Sequence, residues 1–246
     1  MAKRGRLTLS RFGYSMPVDA PAYQAPPFFY KGARSIAIAF ETDPDAALEA
    51  IPAPLAVSEP AIAVLSFYEY PWSTLGPYNE AILSLLVEHK GKPHGYIQQI
   101  MVTTEPPMLA GREIWGFPKK LASISFRSER DMIYGTLERP AGIRIASAVM
   151  RPERPAQPSG GPARSGLSLR VIPAADANAE RPLCAEIIET ATEVKTHEAW
   201  EGTGSVAFAE NSILDPWGRF PVKRVLSATY AVYDMVLPAG RVIDRM

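Results

Sequence analysis

Short segments in which apolar, often β-branched residues alternate with polar ones recur along most of this 246-residue chain. Three of them, at 121–127, 132–139 and 143–150, follow one another with only tight turns between them. Alternation of this kind places every second side chain on one face of a strand, and tight turns join strands that pair antiparallel. The pattern therefore restricts the chain to a fold built mostly from antiparallel strands.

The remaining segments complete the predicted architecture. Further strands are predicted at 34–40, 61–70, 80–89, 96–103, 167–173, 185–200, 204–210 and 222–238. Short helices are predicted at 41–52, with Asp43 as N-cap and Pro44 in the first turn, and at 106–115. Residues 1–30 form an extended arm, and 151–166 form a loop rich in proline and glycine. We expect a single domain over 1–246, an α+β but mostly β fold, with small peripheral helices on an antiparallel β-barrel or sandwich.

Composition excludes several classes of protein. Apolar residues make up 47% of the chain, and 26 basic residues balance 26 acidic ones, so no basic surface for nucleic acid is predicted. No apolar run approaches the ~20 residues that span a membrane, and no signal peptide precedes the polar start. One cysteine, Cys184, suits a reducing compartment, so we expect a cytoplasmic protein.

Metal chemistry is not favoured by the histidines. His89, His94 and His197 lie on separate segments without the spacing of a ligand set. We therefore predict no metal and no other cofactor, and we expect His197 to be structural, like Trp200 nearby.

The segment GREIWGFPKK, at 111–120, is the strongest candidate for chemistry. Two adjacent lysines at the end of a helix are usually solvated. Here bulky apolar residues precede them, Pro118 fixes the chain, and a strand follows, so alternation places Lys119 and Lys120 on opposite faces. Burial can lower the pKa of a lysine by up to ~3–5 units. An amine that is neutral near pH 7 can attack a ketone and form a Schiff base.

This segment resembles the active-site run of the acetoacetate decarboxylase family, G-R-E-L-x-x-[FY]-P-K-K, whose first lysine forms the Schiff base. Acetoacetate decarboxylase is itself the standard example of a lysine activated by desolvation or a neighbouring cation. The resemblance continues, in the same order along the chain, in the segments YKGARSIAIAFETDPDAALEAIPAPLAVSEP, GPYNEA, CAEII, THEAW and FPVKRVLSATYAVYDMVLP.

The resemblance implies roles for individual residues. Lys119 would be the nucleophile, with Lys120 as its cationic neighbour and Glu80 as the group that transfers protons. Arg34, which in another context would be a surface charge at a strand start, would position the substrate carboxylate without a close bidentate grip, or would support Glu80. Burial against Met101 and Phe117 would do more to make the Lys119 amine nucleophilic than the charge of Lys120 does. Met101 and Phe117 would both line the substrate site. The family also implies an antiparallel β-barrel that assembles into a homo-oligomer.

The sequence differs from typical decarboxylases next to Glu80. They continue with Ser-Gly-Gln, whereas this chain continues with Ala81, Ile82 and Leu83. They also carry a second acidic residue on the preceding strand, where this chain has Ser66, with Glu69 displaced from the expected place. If the apolar residues face inward, they make that wall of the site less polar, which destabilises a carboxylate and favours loss of CO2.

These observations predict an enzyme, a carboxy-lyase that converts acetoacetate or a related β-keto acid to a ketone and CO2 through a lysine imine. Its partner would be this small keto acid. Two alternatives remain open at this stage. The same imine could serve an aldolase-dehydratase that condenses pyruvate with an aldehyde, as some relatives on this scaffold do. The barrel could also be a non-enzymatic protein that binds an apolar ligand, with both lysines in solvent.

Overall fold

The protein is described by a computed structural model that covers residues 2–156, 165–209 and 213–246. Its strands are β1 (Phe28–Thr42), β2 (Ala61–Tyr70), β3 (Trp72–Ser73), β4 (Tyr78–His89), β5 (Lys92–Val102), β6 (Lys119–Leu121), β7 (Ser123–Glu129), β8 (Met132–Glu138), β9 (Arg144–Pro155), β10 (Gly166–Ile172), β11 (Cys184–Thr190), β12 (Glu193–Phe208), β13 (Arg224–Leu237) and β14 (Arg241–Arg245). Its helical segments are α1 (Pro44–Leu48), α2 (Glu105–Ala110), a π-helical turn (Gly111–Trp115) and 3-10 turns at Leu9–Arg11 and Trp217–Arg219.

All strands belong to one sheet, in the order β14-β11-β10-β5-β4-β2-β1-β13-β12-β9-β8-β7, with β3 beside β1 and β6 beside β5. The pairings are antiparallel except for those of β5 with β6 and with β10, which are parallel. The mostly-β fold with small helices is therefore confirmed. Among the described strands, β7 and β14 at the two ends of this order do not pair, so a closed barrel is not confirmed.

Most predicted elements lie where alternation placed them. The hairpin predicted at 80–103 is formed by β4 and β5, and Lys90 and Gly91 turn between them with positive φ. Asp43 caps α1 by accepting from the backbone N–H groups of Asp45 and Ala46 at 3.0 and 3.1 Å. Among the described residues, no helix is long and apolar enough to cross a membrane.

Other boundaries differ from the prediction. β1 begins at Phe28, so the end of the arm is a strand, and the single strand predicted at 185–200 is divided between β11 and β12. The strand predicted at 204–210 is the end of β12 up to Phe208. Residues 157–164 of the predicted loop and residue 210 lie outside the described residues.

The two faces of the central strands have different surroundings. On one face Ile36, Ile38, Leu65 and Leu83 belong to the larger apolar core, which β7 and β8 help to cover. Gly135 of β8 approaches this face so closely that an added Cβ would lie 2.2 Å from the Phe67 ring. The opposite face carries a second core, rich in tyrosine, beside an open cavity.

Candidate active site

The segment singled out in the sequence forms a wide turn between α2 and β6. The predicted helix at 106–115 is α2 followed by the π-helical turn, and π-turns of this kind often occur at functional sites. Gly116 ends the turn with φ 71°, and an added Cβ would lie 2.2 Å from Cα of Arg170. Glycine is needed there for both reasons, and it reverses the chain towards β6.

Hydrogen bonds fix this segment to the sheet. The indole N–H of Trp115 donates to the carbonyl of Pro238 at 3.0 Å, and the hydroxyl of Ser168 donates to the carbonyl of Trp115 at 2.6 Å. The guanidinium of Arg112 donates to the carbonyl of Lys119 at 3.1 Å. The backbone that carries the lysine is therefore held from three sides.

Lys119 is buried with 4% of its surface exposed. Its aliphatic stem passes over Gly111, where an added Cβ would lie 2.6 Å from Cδ and 2.8 Å from Cε. Its Nζ lies 5.6 Å from the ring centroids of Tyr78 and Phe117. The rings of Phe117, from the apolar run before the pair, and of Tyr78, from β4, thus flank the buried amine.

The carboxylate that faces this amine belongs to Glu80 of β4. Nζ of Lys119 lies 2.8 Å from Oε2, and both side chains are almost fully buried. Tyr70 donates its hydroxyl to the other oxygen, Oε1, at 3.2 Å. No residue that the structure describes donates a hydrogen bond to Oε2 at suitable angles, so its contact with the lysine is chiefly electrostatic.

Tyrosine hydroxyls complete the surroundings of Glu80. The hydroxyls of Tyr30 and Tyr78 lie 3.0 Å apart. Burial, and then the charge of Glu80, raises the pKa of Tyr70 well above its ordinary value. The pKa of Tyr78 is also raised well above its ordinary value, first by burial and then by Tyr30 and Glu80. Burial is the largest cause of the raised pKa of Tyr233. These phenols are therefore neutral donors at physiological pH.

The pair opens into a cavity of about 510 Å³ on the same face of the sheet. Among the lining residues that the structure describes, Lys119 is the one cation and Glu80 the one anion. The others are aliphatic, aromatic or hydroxyl-bearing, and include Ser66, at the place where typical decarboxylases were expected to carry a second acid.

Lys120 and Phe117 lie where the sequence placed them. Phe117 lines the cavity. Lys120 points to the other face of β6, where it donates to the carbonyl of Leu214, and its Nζ lies 2.9 Å from Oδ1 of Asp215. Lys120 does not line the cavity, so its positive charge could influence Lys119 only at a distance.

The resemblance placed Arg34 at the substrate carboxylate, but Arg34 does not line this cavity. Arg34 forms an ion pair with Glu69 and lies over the Phe126 ring, on the face of β1 that carries the larger core. An irregularity in β1 between Tyr30 and Ala33 sets this alternation, so the next residue, Ser35, lines the cavity instead.

Met101, which was expected to line the substrate site, does not line the cavity either. The parallel register of β5 and β6 pairs Ile100 with Lys119 and Met101 with Lys120. Paired residues share a face, so Ile100 lines the cavity and Met101 packs in the larger core. Of the three apolar residues after Glu80, only Ile82 lines the cavity, because alternation turns its two neighbours to the larger core.

Sequence reasoning also missed Tyr70, Tyr30 and Tyr233, which come from three strands and meet only through the pairing of β1 with β2 and β13. Tyr78 could have been found, because it stands two residues before Glu80 and so shares its face.

Comparisons with known proteins identify the family of this chain. The family described as Acetoacetate decarboxylase (ADC) matches residues 15–246. Acetoacetate decarboxylase 2 of Mesorhizobium japonicum is 32% identical over 96% of this chain and 90% of its own.

Solved structures share the fold. Acetoacetate decarboxylase of Legionella pneumophila superposes with a TM-score of 0.87 at 29% identity, over 100% of this chain and 99% of its own. The enduracididine biosynthesis enzyme MppR, solved with the condensation product of pyruvate and imidazole 4-carboxaldehyde, superposes with a TM-score of 0.80 over 96% of this chain and 97% of its own. At 20% identity, MppR shows a shared fold alone. On the family match and the identity to its members, this chain belongs to the acetoacetate decarboxylase family.

Proposed function

We propose that this chain is a β-keto acid decarboxylase that forms an imine on Lys119. The observation that carries the proposal is the buried contact of 2.8 Å between Nζ of Lys119 and Oε2 of Glu80, at the wall of a cavity large enough for a keto acid. An amine and a carboxyl group in contact can exchange the protons that imine formation needs.

The first step would make the amine nucleophilic. Transfer of a proton from Nζ of Lys119 to Oε2 of Glu80 converts a buried ion pair into two neutral groups, which avoids the desolvation cost of buried charge. The neutral amine attacks the ketone carbon and forms a carbinolamine. Glu80 then gives its proton to the departing hydroxyl, water leaves, and an iminium cation remains.

The iminium is the electron sink for loss of CO2. The bond to the carboxylate carbon breaks, its electron pair enters the enamine, and CO2 departs. The enamine takes a proton at carbon, which Glu80 can relay from water in the cavity. Water then adds to the regenerated iminium and releases the ketone and the amine. The cycle consumes one proton for each CO2, as the decarboxylation of a carboxylate requires.

The polarity of the cavity supports decarboxylation in particular. Apart from Lys119, the lining residues that the structure describes include no cation, and Arg34 lies on the other face. A tight ionic clamp would stabilise the ground-state carboxylate and oppose its loss. Neutral donors such as Tyr78 can position the carboxylate without that cost. The non-enzymatic alternative required solvated lysines, whereas Lys119 is buried.

The test joins imine trapping to product analysis. Borohydride reduction with acetoacetate present should add mass to the peptide that contains Lys119, and CO2 should form faster than in buffer. Lys119→Met should abolish both signals. Glu80→Gln should slow turnover while trapping persists. CO2 release at the background rate, together with rapid condensation of pyruvate with an aldehyde, would overturn the proposal in favour of an aldolase-dehydratase.

A further inference from the structure

The cavity is larger than acetoacetate needs. Its volume of about 510 Å³ corresponds to about 17 waters at ~30 Å³ each, whereas acetoacetate has only seven non-hydrogen atoms. Most of the space would remain filled with water if a four-carbon acid reacted at Lys119.

The excess space extends away from the reacting groups along β4. The residues of this strand that line the cavity alternate from Glu80 through Ile82 and Ser84 to Leu86. Six residues of strand span ~20 Å. The far end of the cavity is therefore separated from Glu80 by much more than the length of acetoacetate.

Two glycines leave the far end open. Gly95 of β5 pairs with Leu86, and Gly166 of β10 pairs with Gly95. Within the described part of the chain, no atom lies within 4 Å of a Cβ added at Gly95, and the nearest to one added at Gly166 is at 3.9 Å. Neither glycine has positive φ, so the backbone itself does not require glycine at either position. The missing side chains create room in the cavity.

The walls of the far end suit an uncharged chain. Leu86 and Ile97 are aliphatic, and Ser84 and Thr190 contribute hydroxyls. No charged side chain lines this end among the residues that the structure describes. Aliphatic walls stabilise each methylene removed from water.

From this geometry we infer that the substrate is a β-keto acid with a long alkyl chain, which extends from the ketone carbon along β4 towards Gly95 and Gly166. The reaction assigned to this substrate rests on the proposed function, whereas the subsite for the chain rests on the cavity alone. Each methylene that becomes fully buried should raise kcat/KM about fourfold, the equivalent of ~0.8 kcal/mol.

The first test is a chain-length series on the full chain: acetoacetate, 3-oxooctanoate, 3-oxododecanoate and 3-oxohexadecanoate. We expect kcat/KM to rise at least tenfold from the shortest to the longest acid. Gly95→Leu fills the far end and should lower kcat/KM for 3-oxohexadecanoate, whose chain is long enough to reach it, at least tenfold more than for acetoacetate. Gly5→Leu, the same change in open space on the arm, should alter neither. A flat length profile, or equal losses for both acids in Gly95→Leu, would overturn the inference.

A binding measurement separates the subsite from the reaction. Binding measurements with 2-butanone and, below its solubility limit, 2-pentadecanone report chain binding without turnover, and we expect the longer ketone to bind at least tenfold more tightly. If no keto acid releases CO2 but Gly95→Leu removes this preference, the subsite stands and the proposed reaction fails. If acetoacetate is decarboxylated but both ketones bind equally, the inference fails and the proposed function stands. Gly95→Ala, a smaller change with the same expected direction, serves if the leucine variant does not fold.

Discussion

Adjacent residues of one strand have opposite surroundings at the candidate site. Lys119 is enclosed beside Glu80, whereas Lys120 is a third exposed and pairs with Asp215 on the other face of β6. Lys119 and Lys120, on opposite faces of the strand, interact more weakly than Lys119 and Glu80, whose charged atoms lie 2.8 Å apart. Enclosure and Glu80, rather than Lys120, therefore dominate the environment of the amine.

The variant Lys120→Met tests this ranking. Asp215 retains Arg139, whose Nε lies 3.3 Å from Oδ2, so we expect the variant to fold with a lower melting temperature. Imine trapping should persist, and the pH–rate profile should move by less than about one unit, because a shift of one unit already equals ~1.4 kcal/mol. A shift of several units would identify the neighbouring charge as the main influence on Lys119.

Face assignments show how far single residues could be predicted from the sequence. Alternation separated Lys119 from Lys120 because both lie in one uninterrupted strand. It could not place Arg34, because the irregularity between Tyr30 and Ala33 shifts the faces of β1. The face on which Met101 lies depends on the register of β5 with β6. This register joins segments about twenty residues apart and leaves no local pattern in the sequence.

At the scale of elements, the turn between α2 and β6 positions the amine. Helical propensity predicted a helix through residue 115, but the chain widens into a π-turn at Gly111. The Lys119 stem occupies the space that a side chain at Gly111 would take. Local propensity cannot indicate such a contact, since it forms only after β6 pairs with β5.

Gly111→Ala tests this arrangement. Gly111 has φ −59°, which alanine adopts readily, so the backbone should tolerate the change. The added Cβ would lie 2.6 Å from Cδ of Lys119 and must displace it. A misplacement of about 1 Å can cost ~10²-fold in rate. We expect borohydride trapping to slow by at least tenfold with little change in thermal stability. Gly5→Ala, the same change at an exposed position of the arm, is the control, and equal trapping rates in the two variants would contradict this role for Gly111.

At the scale of the whole molecule, one sheet separates two environments, a larger apolar core and a tyrosine-rich face that carries the cavity. Composition and alternation predicted the strands, but not the open order of the sheet. Assembly into a homo-oligomer and the cytoplasmic location stay predictions. The arm exposes Leu7, Leu9 and Met16, and sedimentation of the full chain would test the assembly.

Carboxylates with a lowered pKa link segments that are far apart in the sequence, and Asp234 of β13 is one of them. It accepts from Nζ of Lys31 at 2.8 Å and from the backbone N–H of Gly32 at 3.0 Å, and so fixes the irregular part of β1. The hydrogen bond from Lys31, and then that from Gly32, lowers the pKa of Asp234 well below its ordinary value; His197, 3.3 Å away, acts in the same direction.

A lowered pKa means that the folded state favours the ionised form, so Asp234 stabilises the fold above its ordinary pKa of ~3.9. This contribution is lost as the pH falls from about 5 through the folded value. Asp234→Asn should therefore be less stable than the wild type in urea at pH 7, and the difference should shrink steadily below pH 5. Asp19→Asn, which removes a carboxylate from the exposed arm, should behave like the wild type throughout. An Asp234→Asn deficit that stayed constant from pH 7 to pH 3 would show that ionisation of Asp234 does not stabilise the fold.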